Sequence, residues 1–248
     1  MKAMILAAGL GTRLKPLTDT RPKALVEVGG VPMLERVIKT LKSQGFTYLV
    51  VNVHHFADQI LEFLKVNNNF DVQIEVSDER DALLDTGGGI VKALPLLFRD
   101  DNAPVFIHNV DIISNGDLRG VIKNLEGGKD ANLLVSDRDS TRKLIFDERM
   151  VLKGWHDLKN NQFRPESYQK NAHDKELAFS GIYALSRESG EEMKEIYGES
   201  KFSVMDYFLN PNRKKEVTGR EHKDLRLLDI GKPATLLQAQ DILNYISK

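Results

Sequence analysis

The chain has 248 residues, 41% of them hydrophobic and 29% charged, enough to bury a large core in one compact domain over residues 1–248. Its 35 Lys and Arg against 36 Asp and Glu leave a formal net charge of -1, so no global field draws it to nucleic acid or to an anionic membrane surface. Cysteine is absent, which excludes disulfides, thiol nucleophiles and thiolate zinc sites and fits a reducing compartment.

Residues 2–8 (KAMILAA) form a short apolar run that ends in glycines, as expected of a strand buried on both faces. The run meets GLGTR with no spacer, unlike a signal peptide, and no later apolar run approaches the roughly 18 residues of a membrane span. A cytoplasmic protein without nucleic-acid or membrane partners is the plain expectation. Pro32 opens a segment in which Met33, Leu34, Val37, Ile38 and Leu41 recur at helical spacing until Gly45. Strand and helix then alternate: TYLVVNV (47–53) with ADQILEFLKV (57–66), DVQIEV (71–76) with GIVKALPLLF (89–98), and APVFIHNV (103–110) with LRGVIKNLE (118–126). Four such alternations predict an α/β fold with a doubly wound, mostly parallel sheet of Rossmann-like kind. In such sheets ligands bind beyond the carboxyl ends of the strands.

The second half reads differently. ANLLVSD (131–137), RKLIFD (142–147), MVLKGWHDL (150–158) and ELAFSGIYAL (176–185) are strands with fewer helices between them, which predicts antiparallel additions that make the sheet mixed. KNNQFRPESYQKNAHDK (159–175) is a polar excursion. A short strand, LRLLDIG (225–231), precedes a closing helix over ATLLQAQDILNYI (234–246).

The stretch ILAAGLGTRLKPLTDTRPKAL (5–25) carries the strongest chemical signal. Gly9 and Gly11 directly after a strand let the backbone turn tightly and bring amides close to a phosphate. The loop is neither a Walker loop, since no Gly-Lys-Ser/Thr follows, nor a good dinucleotide fingerprint. The third glycine is missing, and VVNVHH offers no ribose-binding acid at the end of the second strand. Arg13 and Lys23 instead flank the amide cradle with two cations, which suits a triphosphate better than a single pyrophosphate.

Residues 9–32 match, without a gap, the pattern G-x-G-T-R-x-x-P-L-T, then P-K, then a Pro-opened helix. The chain thereby resembles the sugar-phosphate nucleotidyltransferases. DTGGGIVKALPLL (85–97), HNVD (108–111), FSGIY (179–183) and LLDIGKPATLLQAQ (227–240) extend the resemblance over nearly the whole chain. It looks closest to N-acetylmuramate 1-phosphate uridylyltransferases and to mannose- or heptose-1-phosphate guanylyltransferase-like proteins.

The resemblance implies an enzyme that joins a nucleoside triphosphate to a sugar 1-phosphate with release of pyrophosphate. Residues 1–130 would form the nucleotide-binding half and 131–248 the sugar-phosphate-binding half. Arg13 and Lys23 would be catalytic, neutralising the phosphates of the two reactants. Leu6, Ala8, Gly9, Gly11, Thr12, Glu79, Thr86 and Gly87 would bind nucleotide, with Glu79 or Arg80 near the base and the TGGG segment (86–89) a loop between strand and helix. Asn109, Phe179, Ser180 and Gly181 would bind sugar phosphate, and Asp111 and Asp229 would hold Mg2+. Val110 departs from the glycine usual before the first metal aspartate, where it would narrow the pocket or shift the ligand. A sibling enzyme with GTP in place of UTP and a non-catalytic nucleotide- or sugar-binding homologue are the rival readings. His54, His55, His108 and Trp155 read as turn and packing residues.

Overall fold

The computed structural model describes residues 1–123, 125, 129–231, 233–236, 239 and 243. β1 (Lys2–Leu6) buries its three central residues. After it the chain makes two single 3-10 turns, Thr12–Leu14 and Lys23–Leu25. A small hairpin follows, β2 (Glu27–Val28) paired with β3 (Val31–Pro32). α1 (Met33–Ser43) starts at the residue after Pro32 and buries the five apolar side chains that its sequence spacing places on one face. Each contributes roughly 1.5–3 kcal/mol on leaving water.

β4 (Tyr48–Val53) and α2 (Ala57–Val66) come next, then β5 (Gln73–Asp78) and α3 (Asp85–Leu97). β6 (Val105–Asn109) leads into a short strand, β7 (Ile112–Ser114), and α4 (Leu118–Lys123). The second half supplies β8 (Ala131–Ser136), β9 (Arg142–Phe146), β10 (Leu152–Asp157) and β11 (Gln162–Arg164), the last lying inside the polar excursion. β12 (Lys175–Leu185) is followed by α5 (Arg187–Tyr197), capped by the Ser186 side chain, and by α6 (Val204–Phe208) with a Ser203–Asp206 capping box. β13 (Val217–Glu221) and β14 (Leu227–Asp229) complete the strands. Of the expected closing helix, residues 233–236, 239 and 243 are helical, and the remainder lies outside the described residues, as do residues 124 and 126 of the segment expected to form the fourth helix.

One ten-stranded mixed sheet runs β11-β10-β9-β12-β6-β1-β4-β5, with β8 beside β12 and β13 beside β8. β6, β1, β4 and β5 are parallel, and β12 joins them antiparallel along β6. One apolar core lies between the sheet and α1, α2 and α4, and a second lies between the sheet and α3, α5 and α6. A third, smaller one gathers Leu14, Val26, Val28, Met33, Leu228 and Ile230 around residues 9–32, the signature loop. That third core ties the N-terminal loop to β14, the strand that carries Asp229.

Candidate active site

The loop after β1 is shaped by Gly11, whose φ of 65° is left-handed. A Cβ there would lie 2.8 Å from Thr18 Cγ2, while Thr18 Oγ1 donates to the Gly11 carbonyl at 2.9 Å. The turn thus needs glycine for both its conformation and its packing. It places Gly9, Gly11, Thr12 and Arg13 on the wall of a cleft of about 400 Å³ at the carboxyl ends of β1 and β6. Leu6 and Ala8, Lys23, Asn109 and Asp111, and Thr86 line the same cleft. Ten residues singled out in the sequence therefore meet at one surface.

Lys23, presented by the 3-10 turn after Pro22, puts its ammonium on the Asp111 carboxylate, and both side chains are largely buried. Asp111 follows β6, and β14 pairs antiparallel with β7 so that Asp229 stands opposite Ile112. The Ile230 amide donates to the Asp111 carbonyl at 2.9 Å. The pairing brings the two aspartates together from segments over a hundred residues apart. Asp229 keeps solvent access, yet partial desolvation by the protein around it, and after that the Asp111 charge, push its carboxyl above the usual range, against the pull of Lys23, Arg13 and Arg138. Gly231 completes the contact, since a Cβ there would lie 2.8 Å from Asp229 Oδ1 and 3.0 Å from Arg13 Nη2. The Asp111 charge raises the cost of ionising Asp229, and these two hard carboxylates form a donor set that a divalent cation would relieve. Among the described residues no group of three His, Asp or Glu side chains converges, so phosphate and water oxygens would supply the remaining ligands, as suits Mg2+.

Several expected contacts are placed elsewhere. Glu79 is fully buried rather than at the cleft wall. Its carboxylate accepts from Asn52 Nδ2 at 2.7 Å and from the Leu84 amide at 3.3 Å, and Asn52 Oδ1 accepts from the Ala7 amide at 2.6 Å. Glu79 therefore orients Asn52, which lines the cleft, and cannot itself read a base from that position; burial raises its pKa. Arg80 also stays off the cleft wall, paired with Asp78 and Asp58. The TGGG segment is the first turn of α3 and not a free loop. A Cβ at Gly87 would run into the Phe202 ring, one at Gly88 into the Ser200 carbonyl, and one at Gly89 would lie 2.7 Å from Glu79 Oε1. These glycines admit close packing, so Gly87 lies behind the cleft.

Of the residues expected to bind sugar phosphate, Ser180 has a buried hydroxyl that accepts from the Ile182 amide at 3.2 Å. The Phe179 ring packs against Tyr183 with centroids 5.8 Å apart, and Gly181, with φ 75°, leaves room for Asn109, whose Nδ2 would lie 2.7 Å from a Cβ. None of the three lines the cleft; Gly181 serves it through Asn109. Val110 lines it but is 4% exposed and packs into the core beside α1, so most of its bulk points away from ligand space. His108 is buried and its pKa falls to about 4; its Nδ1 meets the Asn109 carbonyl at 2.8 Å. His54 meets the Glu79 carbonyl.

The sequence reading missed Asn52, Leu83, Asp85 and Lys201 on the cleft wall, and Arg138, which donates to the Phe179 carbonyl at 2.8 Å and lies within electrostatic reach of Asp229. An acceptor at the end of β4 was findable, since Asn52 is the polar residue in an otherwise apolar strand. Lys201 and Arg138 have no local sequence signature.

The sequence profile of the nucleotidyl transferase family matches residues 2–142, the segment that carries this loop, Lys23 and Asp111. The chain belongs to the nucleotidyl transferase family. Among relatives of this nucleotidyl transferase, an N-acetylmuramate α-1-phosphate uridylyltransferase of Neisseria meningitidis is 32% identical over 97% of each chain. Its counterpart in Caulobacter vibrioides is 47% identical over 45% of this chain and 46% of its own length. A mannose-1-phosphate guanyltransferase of Aspergillus oryzae is 35% identical over 58% of this chain and 39% of its own length, so these last two alignments span less than half of the relative. The crystal structure of HddC from Yersinia pseudotuberculosis complexed with GMP-PN superposes with a TM-score of 0.76 at 23% identity, covering 98% of this chain and 99% of that one. It shares the fold.

Proposed function

We propose that the chain transfers a nucleotidyl group from a nucleoside triphosphate to a sugar 1-phosphate, releasing pyrophosphate and forming a nucleoside diphosphate sugar. The observation that carries this reading is the convergence of Arg13, Lys23, Asp111 and Asp229, from four separate segments, at one set of strand ends. A phosphate oxygen of the sugar phosphate attacks the α-phosphorus, and the bond to the β-phosphate's bridging oxygen breaks. Both reactants are anions, so alignment and charge neutralisation are the main catalytic tasks. Lys23 draws the attacking and α-phosphates together, and Arg13 offsets charge on the departing pyrophosphate. Asp111 and Asp229 are the groups that would hold Mg2+, which would add positive charge at the α-phosphate. The glycine-loop amides and Thr12 bind the triphosphate, with Thr86 and Asn52 on the nucleoside side. Asn109 faces the sugar phosphate, and residues 131–248 form the half that receives it.

UTP and GTP are both consistent with the two kinds of relative. No helix among the described residues is long and apolar enough to cross a membrane, and action in the cytoplasm, where both substrates are made, fits that. A pyrophosphate-release screen tests the reading by crossing the common nucleoside triphosphates with sugar 1-phosphates, with and without Mg2+. Release is expected for at least one pair and only with the metal; no release from any pair contradicts it.

A further inference from the structure

The TGGG turn packs directly against a second segment of the chain. Segment 200–204 is clamped onto the start of α3 by backbone and side-chain hydrogen bonds. The Gly87 amide donates to the Phe202 carbonyl at 3.0 Å, the Phe202 amide to the Leu84 carbonyl at 3.2 Å, and the Val204 amide to Thr86 Oγ1 at 2.9 Å. The Phe202 ring, stacked on Tyr197 at 4.3 Å, fills the space that a side chain at position 87 would take. The residue this clamp delivers to the cleft wall is Lys201. Its side chain is exposed and its ammonium has no ion-pair or hydrogen-bond partner among the described residues.

Asp85 also lines the cleft, and the Phe202 amide to Leu84 carbonyl bond brings the segments carrying Lys201 and Asp85 side by side. The Asp85 φ of 60° is left-handed, a conformation that costs a non-glycine residue free energy and clusters at binding sites. Asp85 Oδ1 accepts from the Thr86 amide at 2.6 Å, which leaves the second carboxylate oxygen for another donor. Thr86, assigned above to the nucleoside side, adjoins Asp85 and lines the same cleft, so a triphosphate held by Arg13 and Lys23 would extend its base toward these residues.

Resting on the nucleotidyltransferase reading, we infer that Lys201 and Asp85 select the base, favouring those with a carbonyl beside a ring N–H. Guanine, uracil and thymine present a carbonyl acceptor next to an N–H donor, which matches an ammonium donor and a carboxylate acceptor. Cytosine and adenine present the reverse, an amino donor next to a ring-nitrogen acceptor, and meet both protein groups with like partners. Lys201 recognises the base carbonyl and not the phosphates, because the phosphate-side cations are Arg13 and Lys23.

Equilibrium binding of GTP, UTP, dTTP, CTP, ATP and inorganic tripolyphosphate, each in Mg2+ buffer, tests this for the parent protein, Lys201→Met, Lys201→Arg and Asp85→Asn. In the parent, at least one of GTP, UTP and dTTP should bind about tenfold more tightly than both CTP and ATP. Lys201→Met and Asp85→Asn should each remove most of that preference with tripolyphosphate affinity unchanged, and Lys201→Arg should retain it. Equal weakening of every ligand by Lys201→Met, an unchanged preference, or tightest binding of CTP or ATP overturns the inference while leaving the nucleotidyltransferase reading in place. Absence of binding by every triphosphate and by tripolyphosphate overturns both.

Discussion

Lys23 and Asp111 stand 88 positions apart in the chain, yet both were legible because each sits in a short pattern that constrains its neighbours. Lys23 follows a proline that fixes the turn, and Asp111 ends an apolar strand. Asp111→Asn keeps the size and an acceptor for Lys23 and relieves repulsion with Asp229. Turnover should therefore fall by about a hundredfold or more, with the melting temperature close to that of the parent. Turnover near the parental rate removes Asp111 from the proposed metal site. Glu79, Ser180 and Phe179 show where residue-level reading stops: their types suit ligand binding, but their polar or aromatic groups face the interior. Strand periodicity cannot say which side of a ligand cleft a residue at its end will face.

Outside the cleft, Tyr207, Asp130 and Glu192 form a buried cluster. Tyr207 Oη lies 3.1 Å from Asp130 Oδ2 and 2.9 Å from Glu192 Oε2, so one phenolic proton faces two carboxyls. Burial, and after it the Glu192 charge, raise the Asp130 pKa, while Tyr207, Arg213 and Ser189 oppose the shift. A carboxyl whose folded pKa exceeds its unfolded value favours folding most at low pH. That advantage fades as pH climbs from the ordinary carboxylate range through the raised value. The unfolding free energy of the parent minus that of Asp130→Asn should therefore decline across that window and level off above it. Urea titrations over a pH series check this, and a difference that grows with pH contradicts it.

At the scale of elements, the parallel strands and α1 to α3 were legible from hydrophobic periodicity and from proline and glycine punctuation. TGGG read as a loop because three glycines lower helix propensity. Tertiary packing overrides that propensity: each glycine's missing side chain is filled by Phe202, Ser200 or Glu79. Gly87→Ala should raise intrinsic helix propensity and still destabilise the protein, by about 1–3 kcal/mol, because the Phe202 ring must move. Denaturant unfolding measures it, and a more stable variant contradicts the packing role. The pairing of β7 with β14, which unites the two aspartates, was invisible for a different reason. Both strands are three residues long, too short for a periodic pattern, and their pairing is set by the small core around the signature loop.

For the whole molecule, the mixed sheet was legible in outline, parallel first and antiparallel later, except that β13 pairs parallel with β8. Its continuity explains why a cleft at the ends of β1 and β6 borders both halves, with β12 running directly beside β6. Chemistry at the α-phosphorus is the claim on which the account of the whole depends, and label partition tests it most directly. The protein is supplied with Mg2+, a sugar 1-phosphate accepted in the pyrophosphate screen, and the matching triphosphate labelled at either its α- or γ-phosphorus. The account predicts that α-label enters a phosphatase-resistant sugar nucleotide and γ-label leaves as pyrophosphate. Transfer of γ-label to the sugar phosphate, or γ-label released as orthophosphate with none in pyrophosphate, would contradict it.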